Sequence, residues 1–378
     1  MNGGRLIVFL SIVLSIWGAL HWYVFWRISG IPWVAARVSF RWMAVLGGVL
    51  WSSFFVARAL NACHWVWLGR PIEFLAANWI GVFFILFCLV FAADVVTVGG
   101  YLFSKSAGQI RLVALMAAAG LSALALVQGT RSPVVSEYEV SIKELPSKLN
   151  GTTMVVLTDI HLNPLVGESR VARLVEQVNA LRPDIVVAVG DIVDDDPNDI
   201  QRLGAALKEL RAPFGKWAVT GNHEFYAGLE GSVRFLEESG FTVLRDRSEQ
   251  ATPGLVIAGV DDLGARGRFV SGDENAIVKA LGNRLPGATV LLCHTPMDAE
   301  VAALNGAGLM LCGHTHQGQI WPFSYLVKQR FPLIAGRYDV GGMPVIVSRG
   351  AGTWGPRMRL WLPGEIVRIH LRSTSTLK

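Results

Sequence analysis

Four apolar stretches occupy most of the first 131 residues of this 378-residue chain, and they decide what kind of molecule it can be. "LIVFLSIVLSIWGALHWYVFW", residues 6–26, is long enough to cross a hydrocarbon core of about 30 Å at about 1.5 Å per residue. "WMAVLGGVLWSSFFVARAL" starts at Trp42 and reaches Arg58, which can snorkel at its end. "FLAANWIGVFFILFCLVFAA" (residues 74–93) and "LVALMAAAGLSALALVQG" (residues 112–129) complete the set. A cleaved signal peptide does not fit the first stretch. Its apolar region is too long and too aromatic, no A-x-A site follows, and three more segments come after it. The expectation is a transmembrane module of about four helices over residues 1–131, in which His21 and His64 are packing or interfacial residues.

Charge divides at the same place. Residues 1–131 hold nine Lys/Arg and two Asp/Glu, whereas residues 132–378 hold 25 and 27, so the formal +5 splits into +7 and −2. Positive charge that flanks apolar segments and makes no basic stripe on the polar part argues for a membrane and against nucleic acid. Arg27, Arg37 and Arg41 follow the first span, which by the positive-inside rule puts that loop in the cytoplasm and the large domain outside. A count over every loop gives six Lys/Arg against five with the opposite preference, so the rule barely decides. The localisation expected is a bacterial inner or cell membrane, with the domain extracytoplasmic. Cys63, Cys88, Cys293 and Cys312 form no disulfide framework, two lying in the membrane module and two ending apolar runs.

Residues 132–150 read as a first strand with a linker. From residue 151 the pattern changes to short apolar runs alternating with amphipathic segments. "TMVVLTD", "IVVAVGD", "KWAVT", "TVL", "LVIAGVDD", "TVLLCHT", "LMLCG", "MPVIVSRG" and "EIVRIHL" read as strands. "SRVARLVEQVNALRPD", "DIQRLGAALKELRAP", "GSVRFLEESG" and "MDAEVAALNGAG" read as helices. Continuous apolar strands alternating with helices indicate an α/β domain over residues 151–378, with its sheets covered on both faces.

Five strand ends carry ligand-type residues: Asp159 and His161 in "DIH", Asp191 in "GD", Asn222 and His223 in "GNHE", His294 in "CHT", and His314 and His316 in "GHTH". Outside the membrane module only His370 is left over. One such residue is most simply a satisfied structural group. Five strand ends repeating the device call for a shared cause, and a mixed imidazole, carboxylate and amide set suits zinc, manganese or iron. Pairs at i and i+2 converge only on an irregular turn, since a strand points both to one face and a helix splays them. Seven or eight donors are too many for one cation and suit two. The glycines before Asp191, Asn222 and His314 fit tight turns or close backbone approach.

The ordered set D-x-H, G-D, G-N-H-E, H and G-H-x-H resembles the calcineurin-like metallophosphoesterase superfamily. With its membrane module and "GHTHQGQIWP", the chain looks most like the membrane-anchored YkuE-like bacterial branch. Gln317 stands where that branch often has glycine. The resemblance covers about residues 150–370 and implies a four-layer α/β/β/α sandwich. It also implies a residue-by-residue site. Asp159, His161 and His316 would hold one divalent cation, Asn222, His294 and His314 a second, and Asp191 would bridge them, with manganese, iron or zinc as the ions. His223 would be no ligand but the acid that protonates the leaving oxygen, and Glu224 would orient it or cap the next helix.

The implied reaction is hydrolysis of a phosphomonoester, phosphodiester or pyrophosphate, with a lipid-linked substrate suggested by the bilayer attachment. An enzyme resembling UDP-2,3-diacylglucosamine pyrophosphatase and a non-catalytic metal-binding scaffold are the alternatives. A transporter with an appended domain is disfavoured by the few polar residues in the spans, chiefly Asn78 and Asp94. The acidic run at residues 194–196 reads as a solvated helix start, and Arg266, Arg268, Arg357 and Arg359 read as surface charge.

Overall fold

The computed structural model describes residues 3–269 and 275–374. It divides into two compact units, Met1–Gln128 with Gly355–Met358, and Gly129–Trp354 with Arg359–Lys378.

In the first unit the four apolar stretches form helices Gly3–Ser29, Phe40–Ala62, Val66–Thr97 and Ala107–Thr130. Among the described residues the last three are long and apolar enough to cross a membrane. Asp94, near the end of helix Val66–Thr97, is buried and takes a hydrogen bond from Tyr23 Oη at 2.6 Å. It also pairs with Arg27 Nε at 2.5 Å and Arg111 Nη2 at 2.8 Å. Opposite charge gathered from two other helices is what such a carboxylate needs in apolar surroundings.

The second unit is a sandwich of two six-stranded sheets. Its strands are β1 (Val134–Ile142), β2 (Thr153–Leu157), β3 (Ile185–Val189), β4 (Lys216–Val219), β5 (Thr242–Val243), β6 (Arg247–Thr252), β7 (Leu255–Gly259), β8 (Ala288–Leu292), β9 (Leu309–Cys312), β10 (Gly336–Val340), β11 (Met343–Val347) and β12 (Glu365–Ser373). The first sheet runs β1-β12-β2-β3-β4-β5 and the second β10-β11-β9-β8-β7-β6. β2 to β5 are mutually parallel, as are β7, β8, β9 and β11. β2, β3, β7, β8 and β11 are buried along their whole length, which is why they read as unbroken apolar runs.

Three hydrophobic layers account for that burial. Between the sheets lie Ile142, Met154, Val156, Val187, Ile257, Val290 and Leu311. Outside the first sheet, Val155, Val186 and Ala218 meet Leu174, Val178, Leu203 and Leu236 from helices Glu168–Ala180, Gln201–Lys208 and Leu229–Glu238. Outside the second, Leu291, Met310 and Val345 meet Ile277, Leu281 and Ala302 from helices Ala276–Gly282 and Ala299–Leu304. The architecture is therefore the expected α/β/β/α sandwich. Two strands, β6 and β10, lie where the sequence reading placed none. Both are polar antiparallel edges of the second sheet, with no residue fully buried.

Parallel pairing puts the carboxyl ends of β2, β3 and β4 on one edge of the first sheet, and those of β8 and β9 on one edge of the second. The inter-sheet layer holds the two edges together. Ile257, wholly buried in it, is the cleanest probe of that layer. Ile257→Ala is expected to cost about 2–5 kcal/mol, seen as a lower unfolding midpoint of the detergent-solubilised chain.

Candidate metal centre

At those strand ends the backbone leaves the ordinary conformations. Asp159 (φ 52°), His161 (53°), Asp191 (51°), His314 (71°) and His316 (47°) all lie in the left-handed region. This is the irregular turn that two converging side chains at i and i+2 require, and it brings both of each pair inward. Gln317 also has positive φ, 52°, so at this departure from the branch pattern glutamine adopts a conformation that glycine takes freely.

The side chains meet in three groups: Asp159, His161 and His316; His161, Asp194 and His223; and Asp191, His294 and His314. In each group, one potential ligand atom per residue lies within 4.8 Å of the others. In the first, His161 Nε2 is 3.0 Å from His316 Nε2, and His316 Nε2 is 3.3 Å from Asp159 Oδ1. In the third, Asp191 Oδ2 is 3.1 Å from His294 Nε2. The same Oδ2 is 3.9 Å from His161 Nε2 and so stands between the two sets. Asp159, His161, Asp191, His294 and His316 are buried, and Asn222, His223 and His314 are half-buried.

Supporting contacts fix these groups. Asp159 accepts from Thr158 Oγ1 at 2.7 Å and from the His314 N–H at 3.0 Å, which joins the two sheets. His294 Nδ1 lies 2.8 Å from Val189 O, a pure acceptor, so Nδ1 carries a proton and Nε2 faces Asp191. Gly221 and Gly313 are required by close approach. A Cβ on Gly221 would overlap Asp191 Oδ1, and one on Gly313 would overlap Thr158 Oγ1 and Asp159 Oδ2.

Electrostatics separates the members of each set. Burial pushes the Asp159 carboxyl up. Burial acts the same way on Asp191, but His294, His223 and His161 outweigh it and hold that carboxyl well below the usual range. Burial opposes a charge on His161, yet Asp194 and Asp191 raise it to about 9. His294 likewise rises well above its ordinary value despite burial, through Asp191. Burial and the neighbouring His294 lower His314 to about 4, and burial with His161 lowers His316. Each set thus pairs a histidine whose surroundings favour positive charge with one whose surroundings oppose it.

Several roles were not legible from composition and spacing. Asp194 is not part of a solvated helix start: its Oδ1 lies 3.1 Å from His161 Nδ1 and 2.5 Å from His223 Nδ1. Its place three residues after Asp191 was the available signal. Asp196 does cap, accepting from the Asn198 N–H at 2.9 Å. Glu224 is directed at backbone N–H groups rather than at His223. Its carboxylate accepts from the N–H groups of Gly221 (2.6 Å), Asp191 (3.0 Å), Ile192 (2.8 Å) and Val193 (2.8 Å). It therefore ties the "GNHE" turn to the turn after β3. Arg359 is not surface charge. It is 1% exposed, and its guanidinium lies 3.3 Å from His316 Nδ1. Arg266 pairs with Asp246, Arg357 falls in the first unit, and the Arg268 side chain lies outside those described. All four cysteines are free.

This geometry agrees with what similar proteins indicate. The family model for calcineurin-like phosphoesterases matches residues 152–318. A zebrafish (Danio rerio) transmembrane protein with a metallophosphoesterase domain is 33% identical over 330 residues, covering 82% of this chain and 74% of its own. An uncharacterized metallophosphoesterase of Campylobacter jejuni is 29% identical, with 97% of this chain and 98% of its own covered. Bacillus subtilis YkuE, another uncharacterized metallophosphoesterase, is 29% identical, with 64% and 86% covered. The chain belongs to the calcineurin-like phosphoesterase family. It is a metal-dependent phosphoric ester hydrolase with apolar helices able to attach it to a membrane.

Gly221→Ala should displace Asp191 and remove bound metal together with activity. Gly282→Ala, where a Cβ meets open space, should change neither. Metal content by elemental analysis distinguishes the two outcomes.

Proposed function

We propose that the site holds two divalent cations and hydrolyses a phosphate ester, with Asp159, His161 and His316 as donors to one, Asn222, His294 and His314 to the other, and Asp191 shared. The observation that carries this reading is the set of buried polar atoms left without a hydrogen-bond partner. Asn222 Oδ1, His294 Nε2 and His314 Nδ1 are all among them. With a proton on Nδ1, His294 turns Nε2 toward Asp191 Oδ2 at 3.1 Å, an arrangement that a second proton or a cation between the two satisfies. An all N/O donor set suits manganese, iron or zinc. When bound, such cations neutralise phosphoryl oxygens and acidify water.

The chain's own residues supply the rest. Asp194 accepts from His223 Nδ1–H, which leaves Nε2 to hold the proton destined for the leaving oxygen. The His223 N–H donates to Asp191 Oδ1 at 2.9 Å, so the acid is anchored to the shared carboxylate. Tyr226 and Trp354 pack edge-on against the His223 ring, at 5.5 and 6.0 Å between centroids, and restrict its rotation. The substrate class that fits a membrane-attached enzyme is a lipid-linked phosphate ester, met on the extracytoplasmic side of a bacterial membrane. A reporter fused to the C-terminus tests that side.

His223→Ala should lower turnover of an ester with a poor leaving group by about 10²–10⁴-fold while bound metal stays the same. Full retention of turnover would remove His223 from the acid role. Asp191→Asn should lose metal and activity together. Asp194→Asn should lower kcat with a weaker effect on metal content, because its two histidines lose the negative charge they share.

A further inference from the structure

The edge of the catalytic unit that carries the metal centre also carries large exposed apolar residues. Helix Ser324–Arg330 presents Tyr325 and Leu326, 65% and 55% exposed, and the residue that caps it, Phe331, packs on the His314 ring at 5.0 Å. Trp321 and Trp361, both exposed, pack together at 5.2 Å between ring centroids. Trp354, exposed and against His223, is hydrogen-bonded through its backbone to the Gln319 side chain, just past "GHTH". Lys328 and Arg330 add positive charge to the helix. Exposed tryptophan and tyrosine beside Lys and Arg is the composition of a surface that sits at lipid headgroup level.

A second observation lies on the same edge. The chain enters this unit through residues 129–133, and only three residues separate the helix ending at Thr130 from β1. Three extended residues span about 10 Å, which keeps the start of β1 close to whatever layer holds that helix. The entry segment is held by Arg170, whose Nη2 donates to Gly129 O, and by Gln177, whose Nε2 donates to Pro133 O at 2.8 Å. Beside it is a cavity of about 50 Å³ lined by Arg131, Arg170, Arg173, Ile160 and Gly352, among others. Ile160 lies between the metal-site residues Asp159 and His161. Among the described residues no carboxylate pairs with any of the three arginines, and Arg173 acts on Arg170 as a like charge that an anion would offset.

We infer that this edge docks on an anionic lipid layer. The aromatic rim enters the headgroup boundary, the arginine cavity takes a lipid phosphate, and the substrate is an amphiphilic phosphate ester that reaches the metal centre while its hydrocarbon stays in the layer. The substrate clause rests on the phosphoesterase reading above; the docking clause does not.

Measurements on the full chain in lipid nanodiscs test both. A fluorophore on Leu326→Cys in a Cys63→Ser background is expected to be quenched by doxyl-labelled lipid in discs containing phosphatidylglycerol. The same label on Glu237→Cys, on helix Leu229–Glu238, is expected to stay unquenched. Replacing phosphatidylglycerol with phosphatidylcholine should weaken the quenching, and Arg131→Gln with Arg173→Gln should abolish that lipid dependence. Absent quenching at residue 326 overturns docking, and a lipid dependence that survives in the arginine variant overturns the cavity's part in it.

With manganese, hexadecyl para-nitrophenyl phosphate should be hydrolysed with kcat/KM at least about tenfold above its ethyl counterpart, since even partial burial of the longer chain is worth that much. Tyr325→Ser with Leu326→Ser should lower this ratio and leave the ethyl ester's rate unchanged. A ratio near one, or one the variant does not move, overturns the substrate clause. Quenching without hydrolysis of either ester would count against the phosphoesterase reading and leave docking standing.

Discussion

Everything at the metal centre depends on five left-handed backbone positions held at the meeting edges of two sheets. A non-glycine residue in that conformation costs about 1–2 kcal/mol, so five together amount to a sizeable part of a domain's net stability of about 5–15 kcal/mol. Aspartate and histidine tolerate the region better than most residues, but tolerance alone does not hold a turn there. The strands that feed these turns are buried along their length, and the turns bond to one another within each sheet and, through His314, between the sheets. The His161 N–H donates to Asp191 O, the Gly313 N–H to His294 O, and the His314 N–H to Asp159. The packed sandwich stabilises the strained turns, and the turns supply the inward aim of the donors.

That division explains what could be read from the sequence. The interior strands were legible because parallel strands covered on both faces become continuous apolar runs, and the donors were legible because they recur at the ends of those runs. Edge strands β6 and β10 were not, since "RSEQAT" and "GRYDV" hold no buried residue and owe their conformation to pairing with β7 and β11. Asp194 was hidden by its neighbours. In the run at residues 194–196, a carboxylate aimed at two histidines and one that caps a turn look alike until the chain is folded. Glu224 offered two readings, and the bond from the Gly221 N–H shows it capping helix Asn222–Ala227, while its other three backbone bonds tie that helix start to the turn after β3.

Asp194 and Glu224 illustrate how carboxylates outside the donor set set its geometry. Asp194 lies between a ring facing His316 and the ring proposed as the acid, so a movement of one histidine is felt by the other. Glu224 collects N–H groups from two separate turns, which fixes Asp191 relative to Asn222 through the backbone. Burial pushes its carboxyl up, and Asp191 nearby adds to that rise. The donated N–H groups of Gly221 and Val193 act the other way. The group keeps its place through bonds that either protonation state can in part retain, since an acid retains acceptor capacity.

Arg359 completes the arrangement from the far side. A buried guanidinium is costly unless its donors are used, and here they are used almost wholly on backbone. Nε and Nη2 reach Gly352 O at 3.1 and 2.6 Å, and Nη1 reaches Leu362 O at 3.0 Å. Nη2 also lies 2.9 and 3.1 Å from the carbonyls of Arg349 and Gly350. These carbonyls belong to the segment that donates the Ala351 and Gly352 N–H groups to Thr158 O and Asp159 O, each at 2.9 Å. The arginine therefore holds the loop that holds the first strained turn. Because a guanidinium can only donate, its approach to His316 opposes a proton on Nδ1 and so a charge on that ring, in the same direction as burial and the neighbouring His161. A lysine could offer the charge but not a planar fork able to gather carbonyls from both sides, which is why this position is occupied by a residue that never reaches the surface.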